Sequence, residues 1–221
     1  MSQTIVITGA NRGIGLEMAR QWHDRGERVI AVCRQPSQAL NELGVRIIEG
    51  IDVARGEDIN RLAETLEGER IDMLYNNAGI LLDENLQDMN FATMEQQFEV
   101  NTLGPLHVTH ALLPNMAEGG KIGLMTSRMG SIADNDSGGR YGYRMSKAAL
   151  NAAGKSLSVD LKPRGIAVAI LHPGFVRTEM TGGNGMIEPD EAAGRLIQRM
   201  DELTLETTGT FWHSDGSVLP W

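Results

Sequence analysis

The sequence predicts a doubly wound α/β fold, a mainly parallel sheet of seven strands with helices on both faces, and three observations carry that expectation. Short runs rich in β-branched residues alternate with longer amphipathic stretches along the chain. Strands separated by helices pair in parallel through right-handed crossovers, so both faces of the sheet become covered. A glycine-rich turn, Thr8-Gly9-Ala10-Asn11-Arg12-Gly13-Ile14-Gly15, follows the first apolar run and leads into a helical pattern. The length, 221 residues, suits one domain over 1–221, and no repeat, low-complexity tract or charge block marks a linker.

The first strand is expected over 4–8 and the first helix near 13–25. Strands over 28–33 and 45–49 follow, with a brief helical segment near 36–43 between them. A helix near 55–67 precedes the strand at 71–75, and one long helix over 91–116 precedes the strand at 120–125. The helix near 141–161, the strand 166–171, a helix near 189–203 opened by Glu188-Pro189 and a strand over 209–212 complete the alternation. Gly, Asn, Asp and Ser cluster in 134–140 and 180–188, which read as loops. Both follow strand ends, where ligands of such sheets bind.

Lys plus Arg at 20 against Asp plus Glu at 29 gives a net charge of −9, which argues against a nucleic-acid footprint or an anionic membrane surface. The N-terminal Met1–Val6 carries no basic export signal, and no later stretch approaches the roughly 18 apolar residues of a membrane span. A cytoplasmic location is expected. The single cysteine, Cys33, supports neither an intramolecular disulfide nor a metal site and reads as a small buried residue.

In the glycine turn, Gly9 permits the bend, Gly13 lets backbone approach phosphate oxygens and Gly15 lets the helix pack on the strand, as a dinucleotide pyrophosphate requires. An NAD enzyme of this fold presents an acidic residue at the end of the second strand. Here the segment is Val32-Cys33-Arg34-Gln35, without a carboxylate, while Arg34 and Arg12 offer guanidinium groups suited to a 2′-phosphate. NADP(H) is therefore expected over NAD(H). Tyr143 and Lys147 stand four residues apart in a helical segment, so phenol and ammonium share one face. A phenol with a reference pKa near 10 exchanges protons poorly at neutral pH, and a neighbouring cation would make its anion accessible.

These motifs together resemble those of the classical short-chain dehydrogenase/reductase family, a Rossmann-type fold. Its TGxxxGxG is similar to Thr8–Gly15, its NNAG to Asn76-Asn77-Ala78-Gly79, its YxxxK to Tyr143–Lys147, and its PG turn with a following threonine to Pro173-Gly174 and Thr178. The resemblance implies a cofactor cleft lined by Gly9, Asn11, Arg12, Gly13, Ile14 and Gly15, with Arg34, Asp52 and Val53 toward the adenine side. Asn77, Ala78 and Gly79, then Tyr143, Lys147, Pro173, Gly174, Val176 and Thr178, would complete it. Asp52 matches the adenine-contacting acid, Asn76 the residue that holds the glycine turn, and Asn101 the active-site asparagine.

The catalytic serine departs from the usual pattern. Ser127, in Ser127-Arg128-Met129-Gly130, stands 16 positions before Tyr143, more than in many relatives, and Ser131 is its rival. Ser127 is preferred because it closes the strand and the 134–140 loop can absorb the excess. By resemblance, Tyr143 donates a proton as hydride reaches a carbonyl carbon, Ser127 holds the substrate oxygen, Lys147 holds the nicotinamide ribose and lowers the phenol's pKa, and Asn101 links Lys147 to solvent.

The short, glycine-rich segment after Thr178 implies an open cleft for aldehydes, ketones or quinones, with Met129, Met180 and Met186 as adaptable apolar contacts. Within the family, Tyr141–Lys147 and the terminal Asp215–Trp221 resemble the short C-factor and sniffer-type carbonyl reductases. A nucleotide-binding signalling or regulatory protein with a vestigial site is the alternative. A homodimer or homotetramer through the helices containing Asn101 and Tyr143 is implied by the family alone.

Overall fold

The computed structural model describes residues 2–221. Seven strands, β1 (Thr4–Thr8), β2 (Arg28–Val32), β3 (Arg46–Ile48), β4 (Ile71–Asn76), β5 (Met116–Met125), β6 (Ala167–His172) and β7 (Phe211–His213), form one sheet in the order β3-β2-β1-β4-β5-β6-β7. Every neighbouring pair is parallel. The order reverses direction between β1 and β4, and such a switch point opens a crevice at the carboxyl ends of the strands.

The strand residues divide by parity. Val6, Ile30, Leu74, Ile122, Val168 and Ile170 pack on one face, against α3 (Gly56–Thr65), α5 (Gly104–Leu112) and α6 (Tyr141–Leu161) through Leu62, Val108 and Leu150. Ile5, Ile7, Met73, Tyr75, Ala169 and Leu171 pack on the other, against α1 (Gly13–Asp24), α2 (Gln38–Glu42) and α7 (Pro189–Glu202) through Met18, Trp22, Leu40 and Leu196. Burial on both faces is why these strands read as continuous apolar runs rather than as alternations. Among the described residues, no helix is long and apolar enough to cross a membrane.

Two expectations are corrected. The single helix over 91–116 is α4 (Phe91–Phe98), a π turn over Glu99–Leu103, α5, and a 3₁₀ turn over Leu113–Asn115. Pro105 has no N–H to give the Asn101 carbonyl four residues back, so the regular ladder cannot run through this point and widens there. The strand expected from Gly120 starts at Met116 instead, with a register shift opposite Ile71 and Met73 and Gly119 at φ +76° absorbing the irregularity.

Candidate active site

The glycine turn is built by close approach. A Cβ on Gly15 would lie 2.4 Å from the Gly9 carbonyl oxygen and 2.5 Å from Asn77 Nδ2, so no side chain fits. Gly9 and Gly13, at φ +66° and +54°, occupy the left-handed region that glycine tolerates. Asn77 holds the turn: its Nδ2 donates to the carbonyls of Thr8 at 3.1 Å and Gly9 at 3.0 Å. Thr8 Oγ1 accepts from the backbone N–H groups of Asn77 and Ala78, both at 3.1 Å. The expectation that Asn76 plays this part is overturned. As the last residue of β4, Asn76 follows the strand's parity toward α5 and donates to Thr109 Oγ1 at 3.1 Å, leaving its successor to face the turn.

Around this turn the rim of a cleft takes shape. α1 starts at Gly13 without a side-chain cap on its first N–H groups, so its positive end is open to an anion. Thr178 stands across from it: a Cβ on Gly13 would come 3.5 Å from Thr178 Cγ2. Arg12, next to Asn11, forms an ion pair with Glu179 over this gap, and both side chains are largely exposed. Ile14 packs partly buried against the α1 face of the core. Arg34, just past β2, is exposed and makes no ion pair among the described residues. Asp52 Oδ1 accepts from the Ala54 N–H at 3.0 Å, and buried Val53 packs against Gly104. Beyond β6, Pro173 and Gly174, the latter at φ +96°, turn the chain toward buried Val176, which bridges to Ile187.

The side chains of Tyr143, Lys147 and Ser127 meet at one corner of this cleft. α6 places Tyr143 and Lys147 one turn apart, 8 % and 3 % exposed, with Lys147 Nζ 5.7 Å from the Tyr143 ring centroid. Lys147 Nζ donates to the Met125 carbonyl at 2.8 Å. Gly79 lies between Lys147 and Asn101: its Cβ position is 3.5 Å from Lys147 Nζ and 3.2 Å from Asn101 Oδ1. Asn101, in the π turn, clamps Ile80 from both sides, accepting from its N–H at 2.8 Å and donating to its carbonyl at 2.9 Å. It also donates to Ser146 Oγ at 3.1 Å.

Ser127 accepts from the Met129 N–H at 3.1 Å at the start of a 3₁₀ turn, Arg128–Gly130, and its hydroxyl neighbours the Tyr143 phenol. Ser131 is committed elsewhere, donating to the Trp221 carbonyl at 2.9 Å and accepting from the Asp134 N–H at 3.2 Å. Tyr141, half-buried at the first position of α6, has the exposed Met145 as its fourth successor.

Burial governs the electrostatics here. It raises the Tyr143 phenol above its ordinary value, with the Ser127 hydroxyl and the Arg140 cation drawing it back down, and it pushes Lys147 down to about 7. Desolvation disfavours the charged form of each group, and the cation that draws the phenol back down is Arg140 rather than the expected Lys147.

A cleft of about 380 Å³ is lined by Asp83, Glu84, Asn85, Met129 and 137–140, from the segments after β4 and before α6. A larger cavity, about 640 Å³, lies at the opposite end of the strands among Glu67, Arg70, Asn115 and Met116, away from the tyrosine. Arg140 in the first cleft was missed in the sequence. It is the one non-glycine residue at positive φ among the described residues, +50°, and its Nε donates to Asp83 Oδ1 at 2.6 Å. Nothing in the local sequence marks such a conformation at an arginine.

A doubly wound sheet with a glycine turn at its switch point and a tyrosine–lysine pair at the same rim defines a dinucleotide-type α/β oxidoreductase. The chain belongs to the short-chain dehydrogenase family, whose model matches residues 3–186. It is 42 % identical over 224 residues to the 1-hydroxy-2-glutathionyl-2-methyl-3-butene dehydrogenase of Rhodococcus sp. (strain AD45), with 99 % of each chain covered. Among solved structures it resembles the carbonyl reductase Sniffer of D. melanogaster, with a TM-score of 0.93 and 31 % identity over all of both chains. It also resembles an NADPH-bound carbonyl reductase from chicken fatty liver, with a TM-score of 0.91 and 30 % identity over 100 % of this chain and 99 % of that one.

Proposed function

We propose that this protein is an NADP(H)-dependent oxidoreductase that reduces an aldehyde, ketone or quinone to the alcohol, with Tyr143 as proton donor. The observation that carries the reading is the convergence of Tyr143, Ser127 and Lys147 in one buried corner beside Gly79 and Asn77 of the dinucleotide turn. The cleft fits the cofactor on its own chemistry: the uncapped start of α1 suits a pyrophosphate, and unpaired Arg34 suits a 2′-phosphate. Similarity to a carbonyl reductase described as NADPH-bound supports the same choice. When bound, the cofactor supplies a hydride.

The protein's own residues do the rest. Ser127 holds the substrate oxygen by hydrogen bonding. Tyr143, kept neutral by burial, carries the proton that oxygen needs as it becomes an alkoxide. Lys147, titrating near neutrality, stabilises in its charged form the phenolate left behind, and a proton from solvent then returns to the Tyr143 oxygen. Asn101 fixes the loop that seats Gly79 beside Lys147.

The same groups run in reverse for an alcohol, with the phenolate accepting the hydroxyl proton. The near full-length similarity to a dehydrogenase of a glutathionylated alcohol favours testing that direction as well. The decisive experiment follows nicotinamide absorbance with NADPH and NADH over aldehydes, ketones and quinones, and with NADP⁺ over alcohols that include a glutathione conjugate. Turnover with NADPH is expected. NADPH binding without turnover across the whole panel would overturn the enzyme reading in favour of a nucleotide-binding regulatory protein.

A further inference from the structure

We propose that Glu84 is a positioning residue for Tyr143: its buried carboxylate caps the first turn of α6 and ties the tyrosine's placement to the loop after β4. The proposal rests on the reading of Tyr143 as proton donor. The position before α6 is Arg140, in the left-handed region and without a side-chain cap. The missing cap comes from far along the chain. Glu84, 3 % exposed, accepts the Gly142 N–H on Oε2 at 3.1 Å, and its carbonyl accepts the Arg140 N–H at 2.7 Å. Gly142 immediately precedes the tyrosine.

The other carboxylate oxygen is also met. Oε1 accepts from Thr93 Oγ1 at 2.7 Å and from Gln97 Nε2 at 2.6 Å. Gln97, completely buried, uses its own oxygen to accept the Leu82 N–H at 2.9 Å. Thr93, Gln97 and Asn101 recur at intervals of four on α4 and its continuation, the spacing that puts side chains on one helix face. Each grips the loop at a different point: Glu84, then Leu82 and Glu84, then Ile80. A buried carboxylate is costly unless donors meet it, and a helix start supplies both donors and favourable field.

Gly142 gives a second, independent sign of the same contact. A Cβ there would lie 2.5 Å from Gln97 Nε2, 2.9 Å from Met94 Cα and 3.0 Å from Glu84 Oε1. Gly142 is helical and has no need of glycine's positive φ. Its lack of a side chain lets the carboxylate and the amide reach the start of the helix.

Glu84→Gln tests this, because it keeps the side chain's size and replaces one acceptor with a donor facing other donors. Two readouts are taken together: steady-state kinetics with NADPH affinity, and amide hydrogen exchange. The expected result is a fall in kcat of about tenfold with NADPH Kd held within about twofold. Amide exchange at Gly142 and Tyr143 should rise about tenfold while that of β1 and β4 stays unchanged. Thr93→Val, removing one donor to Glu84, should give a smaller change of the same kind. The double variant Glu84→Gln/Gln97→Glu exchanges the donor and acceptor roles and should restore kcat and protection.

A wild-type kcat in Glu84→Gln, a Kd that worsens in step with kcat, or a double variant no better than the single one overturns the proposal. If the wild-type protein reduces no carbonyl, the reading of Tyr143 fails on its own, and the exchange experiment still decides whether Glu84 caps α6.

Discussion

Tyr143 and Lys147 lie on one turn of α6, and burial drives both toward their neutral forms. For carbonyl reduction that serves the phenol, which must hold its proton until negative charge appears on the substrate oxygen. Tyr143→Phe removes the proton and little volume. Its kcat for carbonyl reduction should fall by about three orders of magnitude or more while NADPH Kd changes by less than about threefold. Retained turnover in stopped-flow or steady-state assays would remove the tyrosine from the mechanism. Arg34, exposed just past β2 and without an ion pair among the described residues, is the proposed reader of a 2′-phosphate. Arg34→Ala should raise KM for NADPH by about tenfold and leave KM for NADH within about twofold; equal changes would mean that Arg34 does not read the phosphate. The tyrosine–lysine spacing and the glycine turn were legible because they depend on local periodicity. The choice between Asn76 and Asn77 was not, because it depends on which face of the sheet the end of β4 presents. The choice between Ser127 and Ser131 turns on a carbonyl from Trp221, which sequence proximity cannot reveal.

At the scale of elements, the glycines separate into those that packing requires and those it does not. Gly15, in the first turn of α1, is pressed against the Gly9 carbonyl, a backbone atom that cannot swing aside. Gly15→Ala should therefore destabilise the protein by about 1–3 kcal/mol and weaken NADPH binding by about tenfold or more, because relief must come from the turn itself. Gly56 opens α3 with nothing within 4 Å of its Cβ position and without a positive φ. Gly56→Ala should be neutral or stabilising by up to about 1 kcal/mol, by restricting the unfolded chain. Denaturant unfolding and NADPH titration of the two variants check both; a costless Gly15→Ala would contradict the packing argument. The order and type of the strands and main helices were readable, since apolar runs and amphipathic stretches are local patterns. The break in the helix over 91–116 was not foreseen, although Gly104-Pro105 marks it. The turn it opens carries Asn101, whose amide grips Ile80 from both sides.

At the scale of the whole molecule, the Pro173–Thr178 rim of the cleft is tied to the sheet's short edge strand β7 through Ser214. His172 ends β6, its ring 5.0 Å from that of His213 in β7 in an edge-to-face contact, and its carbonyl accepts the Ser214 N–H at 2.8 Å. Burial, then His213 and Arg128, push His172 down to about 3 from an ordinary 6.5, with Asp215 and Asp134 opposing. A histidine that is neutral when folded and protonated when unfolded binds its extra proton in the unfolded state between those values. Stability from this site is therefore present above about pH 6.5 and is lost as pH falls toward about 3. One such group gives a slope of at most about 1.4 kcal/mol per pH unit. Loss should begin at the β6–β7 edge, because β7 is three residues long and Pro173, which leads into the Gly174–Thr178 rim, accepts a hydrogen bond from Ser214. His172→Gln should flatten the acid limb of a denaturant-midpoint profile relative to wild type, while leaving the neutral-pH cofactor affinity within about twofold. Parallel wild-type and variant profiles would place the acid sensitivity in another group. A variant that flattens the profile but loses NADPH binding at neutral pH would show that the edge contact, rather than the titration, sets the rim.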